Sequence, residues 1–92
     1  MANARTVFIY DLSPRLVLAA PIPIVLDFGD DLVTARCFEL DFGVGPDEDS
    51  ALADLKASVI ELYFLLKAES NRLGPLPQRQ WNYLQSVVRE TL

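Results

Sequence analysis

The chain has 92 residues and a mass of 10.3 kDa, with 51% hydrophobic and 23% charged residues, 13 acidic against 8 basic side chains, and no histidine. That apolar share excludes a disordered chain, and four scattered glycines exclude a collagen-like repeat. A net charge of −5 argues against a general phosphate-backbone binder, and the lack of histidine excludes His-based acid–base chemistry and His-ligated metals. A domain of this size buries somewhat over roughly 60% of its unfolded surface, so its core is thin and leaves little room for a catalytic cleft.

Three β segments are predicted first. Thr6–Leu12 (TVFIYDL) is β-branched and aromatic and stops at Ser13-Pro14. Leu16–Phe28 (LVLAAPIPIVLDF) sets Ile22, Ile24, Leu26 and Phe28 on one face. Pro21 and Pro23 donate no ladder hydrogen bonds, which points to an edge strand or to a strand that begins after them. Gly29-Asp30-Asp31 is a turn signal, and Leu32–Leu40 returns as the third strand of an antiparallel hairpin, with apolar residues on both faces. Gly43-Val44-Gly45-Pro46 is then expected to break the sheet, which would span about 6–42.

The spacing predicts a helix over about 48–68. Asp47 is a good N-cap, since its carboxylate accepts from free backbone amides one turn on, and Glu48 and Asp49 suit the positive end of the helix dipole. Leu52, Leu55, Val59, Leu62, Tyr63 and Leu66 form one apolar stripe. Ala53, Ala57, Ile60 and Phe64 mark a second strip, the sign of a helix that meets its own sheet and something else. Gly74 with Pro75 and Pro77 separates this helix from a closing one over about 77–91, with Pro77 near its first turn and Trp81, Leu84 and Val88 facing inward. That tail either folds back on its own sheet or docks on a second copy. Ile22, Ile24, Leu26, Phe38, Leu52, Leu55, Val59 and Tyr63 are the expected core of a single domain, 1–92.

Charge is unevenly placed. From Asp27 to Glu61 ten acids face only Arg36 and Lys56, a balance of −8, while the remaining segments sum to +3. A negative face is therefore expected, either as solvated surface or as a docking surface for a basic partner. Arg72, Arg79 and Arg89 form at most a small basic strip, and direct nucleic-acid binding is not expected. The acids Asp27, Asp30, Asp31, Glu39 and Asp41 raise the question of Mg²⁺, but Asp30 and Asp31 sit in a turn and Asp27 and Glu39 near strand ends, where local hydrogen bonding and solvent suffice. No metal and no cofactor is expected. Cys37 lies within a strand with no histidine to activate it and negative charge nearby, the setting of a small buried hydrophobe. The glycines before the helix fit no phosphate-loop pattern, and three acids follow them. Nothing here calls for an enzyme.

A lone cysteine forms no internal disulfide, residues 1–6 lack a leucine-rich run, and Leu16–Leu26 is shorter than the roughly 20 residues a membrane span needs. A cytoplasmic location without membrane attachment is the expectation.

The stretch Pro21–Tyr63 resembles the HicB-like antitoxin group. Its members open with a P-x-x-[IV]-x-x-D-x-D-G-x-x-V-A hairpin and enter their helix through a G-D-[ST]-x-E-E-A-L turn-and-cap motif. Gly45-Pro46-Asp47-Glu48-Asp49-Ser50-Ala51-Leu52 occupies that second motif, with Asp47 where the family usually has a capping Ser or Thr. Phe38–Gly43 stands where the family has a P-[DE]-[LF]-P-G-C segment, without its proline and cysteine. The resemblance implies an α+β, truncated RNase H-like fold without nuclease residues: a small three-stranded antiparallel sheet packed by a long helix, here followed by a C-terminal helix. It also implies an antitoxin-like role, in which the chain neutralises a small basic RNA-cleaving toxin, and association as a homodimer or higher homo-oligomer. The stretch from Leu73 to Leu92 is too short for the operator-binding module many members carry.

The expected function is thus a non-catalytic protein-binding module acting through an acidic face, with Asp30, Asp31, Glu39 and Asp41 as partner-binding residues. The alternative is a stand-alone homo-oligomeric domain with a structural or small-ligand role. A third reading, a metal-dependent nuclease, would rest on strand carboxylates such as Asp27.

Overall fold

The computed structural model describes residues 3–37 and 40–91. The expected core residue Phe38 and the expected partner-binding residue Glu39 lie outside them. The fold is α+β: β1 (Asn3–Ser13), β2 (Leu16–Phe28), β3 (Val33–Cys37), β4 (Asp41–Gly45), α1 (Glu48–Ala68), α2 (Pro75–Val87) and β5 (Val88–Glu90). All pairings are antiparallel, in the order β1-β2-β3-β4, and β5 pairs with the Leu16–Leu18 end of β2. The sheet has five strands where the sequence points to three.

The fourth strand is a correction with a clear physical cause. Gly43 and Gly45 do not end the sheet but form part of it, opposite Ala35 and Val33. They are glycine because α1 lies directly on them. A Cβ at Gly43 would overlap the backbone of Leu55 and Ala51, and one at Gly45 would come within 2.8 Å of the Ala51 nitrogen. The fifth strand corrects the tail. α2 begins earlier than Pro77, at Pro75 behind the Gly74 cap, and ends at Val87. Val88 is extended at φ −94° and ψ 136°, and the chain leaves as a short strand rather than helix to residue 91.

β2 stays continuous through both prolines. Between Ile9↔Ile22 and Asp11↔Val17 the register shifts, and alternation on β1 breaks there, with Ile9 and Leu12 buried and Tyr10 and Asp11 both exposed between them. β5 covers 16–18 and β3 covers 25–28, so within 19–24 the pairing among the described residues is that of 22–24 with β1. Pro21 and Pro23 sit in that stretch, where a missing donor costs little.

Both helices cover one face of the sheet. α1 spans the predicted 48–68, and the Asp47 carboxylate accepts from Ser50 N at 2.8 Å, which holds its carboxyl below the ordinary value. Leu55, Val59, Tyr63 and Leu66 are buried against Ile22, Ile24, Leu26, Val33 and Ala35, while Leu52 is half-buried at the margin. The tail folds back on its own sheet. Trp81 stacks obliquely on Tyr63 with ring centres 5.4 Å apart, and Leu84, Val87 and Val88 close the core. Among the described residues no helix is long and apolar enough to cross a membrane.

Candidate protein-binding face

Side chains alternate across a strand, so burying one face of this sheet fixes what the other presents. On β3 the inward residues are Val33, Ala35 and Cys37, and the outward ones are Thr34 and Arg36. The predicted third strand carries apolar residues on both faces, yet both helices pack on the inner side. The outer face carries Phe8 and Tyr10 from β1, Val25 from β2, and Phe42 and Val44 from β4. Phe8 is 53% exposed, Tyr10 69% and Phe42 59%. Register aligns Thr6, Val25, Arg36 and Phe42 in one row, and Asp27, Thr34 and Val44 in the next. Arg36 is paired with Asp27 within this surface. Arg36 is well exposed and Asp27 half-buried, so the pair positions more than it stabilises.

The expected acidic residues stand at the two ends of the β3–β4 pair rather than forming one cluster. Asp30 and Asp31 are exposed in the β2–β3 turn, closed by Gly29 N donating to Leu32 O at 2.8 Å. Asp41 stands at the other end, opposite inward-facing Cys37 and therefore on the inner side of the sheet. The four residue steps of β3 separate the two ends by about 13 Å. Phe42, Val44, Thr34 and Arg36 lie between. The acidic turn adjoins the start of α1, because Val33 pairs with Gly45, and Asp47, Glu48 and Asp49 extend the negative charge there.

The β4 edge has its own chemistry. Asp41 accepts from Phe42 N at 2.8 Å, and Asp54 of α1 accepts from Val44 N at 2.9 Å. These are the two amides that turn away from β3. Sequence reasoning missed Asp54, Phe42 and Val44 because it ended the sheet at the glycines. It placed Thr6–Leu12 in a strand without drawing the consequence of its alternation, which sends Thr6, Phe8 and Tyr10 to one side and Val7 and Ile9 to the other.

The remaining chemical groups are structural. Cys37 is buried, and its thiol is pushed up to about 11 by burial and by the Asp41 charge, which keeps it protonated and inert at neutral pH. Asp27 is engaged by Arg36, and among the described residues no three Cys, Asp or Glu side chains converge as metal ligands. Glu90 on β5 accepts from Tyr63 Oη at 2.8 Å and Lys67 Nζ at 2.6 Å, both on α1, and these bonds hold its carboxyl below the ordinary range. An open groove beside this group is lined by Arg15, Leu16, Phe64, Glu90 and Thr91. Of the second helical strip, Ala53, Ala57 and Phe64 are exposed, and Ile60 is half-buried against the core.

The geometry therefore offers a partly aromatic surface with the Asp30 and Asp31 turn at one end, suited to contact. Comparison with protein-family models, curated proteins and solved structures finds no match for the chain.

Proposed function

We propose that this chain is a non-catalytic protein-binding module, antitoxin-like, that holds a small basic protein against the outer face of its sheet in the cytoplasm. One observation carries the reading: Phe42 and Val44 are exposed on a sheet face that no described element covers, with the exposed Asp30 and Asp31 turn at one end. Interfaces commonly place aromatic anchors at the centre and charges at the rim, where charge steers encounter more than it adds affinity. An acidic rim selects a basic partner. The turn-and-cap motif over 45–52 supports the antitoxin half of the reading through its resemblance to the HicB-like group. Asp30 and Asp31 act here as rim residues, and Phe42 as the anchor.

The test is calorimetric titration of the purified chain with the small basic protein encoded in the adjacent reading frame. Wild type is expected to bind, with affinity falling as salt rises. Phe42→Ser is expected to weaken binding by on the order of tenfold or more. Asp30→Asn combined with Asp31→Asn is expected to slow association with a smaller effect on dissociation. Binding that Phe42→Ser leaves unchanged, or no binding by the wild-type chain, overturns the reading.

A further inference from the structure

The groove lined by Arg15, Leu16, Phe64, Glu90 and Thr91 lies on the helix side of the sheet, where α1 meets the tail. Its volume is about 440 Å³, within the range of small-molecule sites. Bonds inside the chain fix its walls. The Ser13 hydroxyl oxygen accepts from Arg15 N at 3.3 Å and from Leu16 N at 3.2 Å, which closes the β1–β2 turn. Thr91 clamps the tail to that turn, its amide donating to Arg15 O at 2.8 Å and its hydroxyl to Pro14 O at 2.9 Å. On α1 the Phe64 ring packs edge-on against Tyr63 with centres 5.2 Å apart, and 46% of the residue is exposed. Walls set before a ligand arrives lower the ordering cost of binding it.

The lining keeps binding capacity that folding does not use. Glu90 accepts from both Tyr63 and Lys67 through Oε2, and Oε1 takes neither bond. Arg15 lines the same groove with the opposite charge, yet the two do not pair with each other, and among the described residues Arg15 enters no ion pair. Lys67 already balances the charge of Glu90, so Arg15 leaves the groove net positive in a chain whose net charge is −5. A guanidinium presents a fork of donors that matches a carboxylate. Leu16 and the Phe64 ring supply apolar surface between the two polar ends.

We propose that this groove binds a small molecule with the chemistry of an apolar α-amino acid: its carboxylate on Arg15, its ammonium on Glu90 Oε1 and its side chain against Phe64 and Leu16. The groove is open and offers few contacts, so the affinity is about millimolar. The site lies on the other side of the sheet from Phe42 and Val44, and its test uses no second protein, so its outcome is independent of the partner reading.

The experiment is a nuclear magnetic resonance titration of the purified chain, following backbone amides. L-Phenylalanine, which carries both charged groups, is compared with 3-phenylpropionate, which lacks the amine, and 2-phenylethylamine, which lacks the carboxylate; L-leucine tests a non-aromatic side chain. L-Phenylalanine is expected to give saturable shifts centred on Arg15, Leu16, Phe64, Glu90 and Thr91, and each single-group analogue is expected to bind on the order of fivefold or more weakly. Arg15→Gln changes an exposed side chain that makes no bond in the fold. It is expected to weaken L-phenylalanine and 3-phenylpropionate while leaving 2-phenylethylamine unchanged. Phe64→Ala is expected to weaken all three aromatic probes, with circular dichroism to verify folding. The ligand series keeps Glu90 intact, so its role is read without disturbing the bonds to Tyr63 and Lys67. No saturable shift with either amino acid, shifts centred away from the groove, a single-group analogue that binds as tightly as L-phenylalanine, or unchanged binding of the carboxylates by Arg15→Gln would overturn the proposal.

Discussion

The two faces of the sheet are built from alternate residues of the same strands, yet they differ in what holds them. Inward, Ile22, Ile24, Leu26 and Ala35 pack against Leu55 and Val59 of α1, and Leu55 is fully enclosed. Outward, Phe8, Tyr10, Phe42 and Val44 are large and mostly apolar, but no described element covers them. Apolar residues on the inner face are explained by folding. Those on the outer face add little to a monomer, and the proposed partner binding would use them.

The sharpest way to break that comparison is to cut the inner face. Leu55→Ala should cost about 2–5 kcal/mol in urea denaturation, since it removes a buried side chain beneath α1 and leaves a cavity. A loss below about 0.5 kcal/mol would show that the helix does not bury the face assigned to it.

A smaller effect is expected where α1 is tied to β5. Burial, reinforced by the hydrogen bond to Glu90, pushes the Tyr63 hydroxyl up from 10.0 to about 12. Because the folded value is raised, the stability linked to this group is complete below pH 10 and is lost as pH climbs from there to about 12. Tyr63→Phe should cost about 0.5–1.5 kcal/mol at neutral pH and flatten that alkaline decline. An unchanged alkaline limb in the variant would assign the decline to other groups.

The smallest effect on stability belongs to the outer face. Phe42→Ser should change unfolding free energy by no more than about 0.5 kcal/mol while impairing partner binding. A large loss of stability would mean that Phe42 supports the fold, and the contrast between the faces would fail.

Much of the inner architecture was legible because it is local. The Asp47 cap with Glu48 and Asp49, the apolar spacing of Leu55, Val59, Tyr63 and Leu66, and the alternation of Ile22, Ile24 and Leu26 each follow from neighbours within a few turns or residues. Gly43 and Gly45 misled for a non-local reason. Locally they read as a break, but their lack of a Cβ serves the approach of Leu55 and Ala51, which comes from the helix that follows. The tail misled likewise. Val88 leaves the helical path to pair with Leu18, seventy residues earlier in the chain. The acids Asp30, Asp31 and Asp41 were identified by charge density alone, which carries no information on spacing, so their separation at two ends of β3 was not legible.

By itself the sequence determined the first three strands, the long helix and its buried stripe, the uneven charge and the inertness expected of Cys37, since periodicity, capping and composition act over short range. Only the tertiary structure decided that β4 and β5 complete the sheet, that both helices cover one face, and that Phe8, Tyr10 and Phe42 are left in water. Those outcomes depend on which distant backbones approach closely enough to pair or pack, a property of the folded chain as a whole.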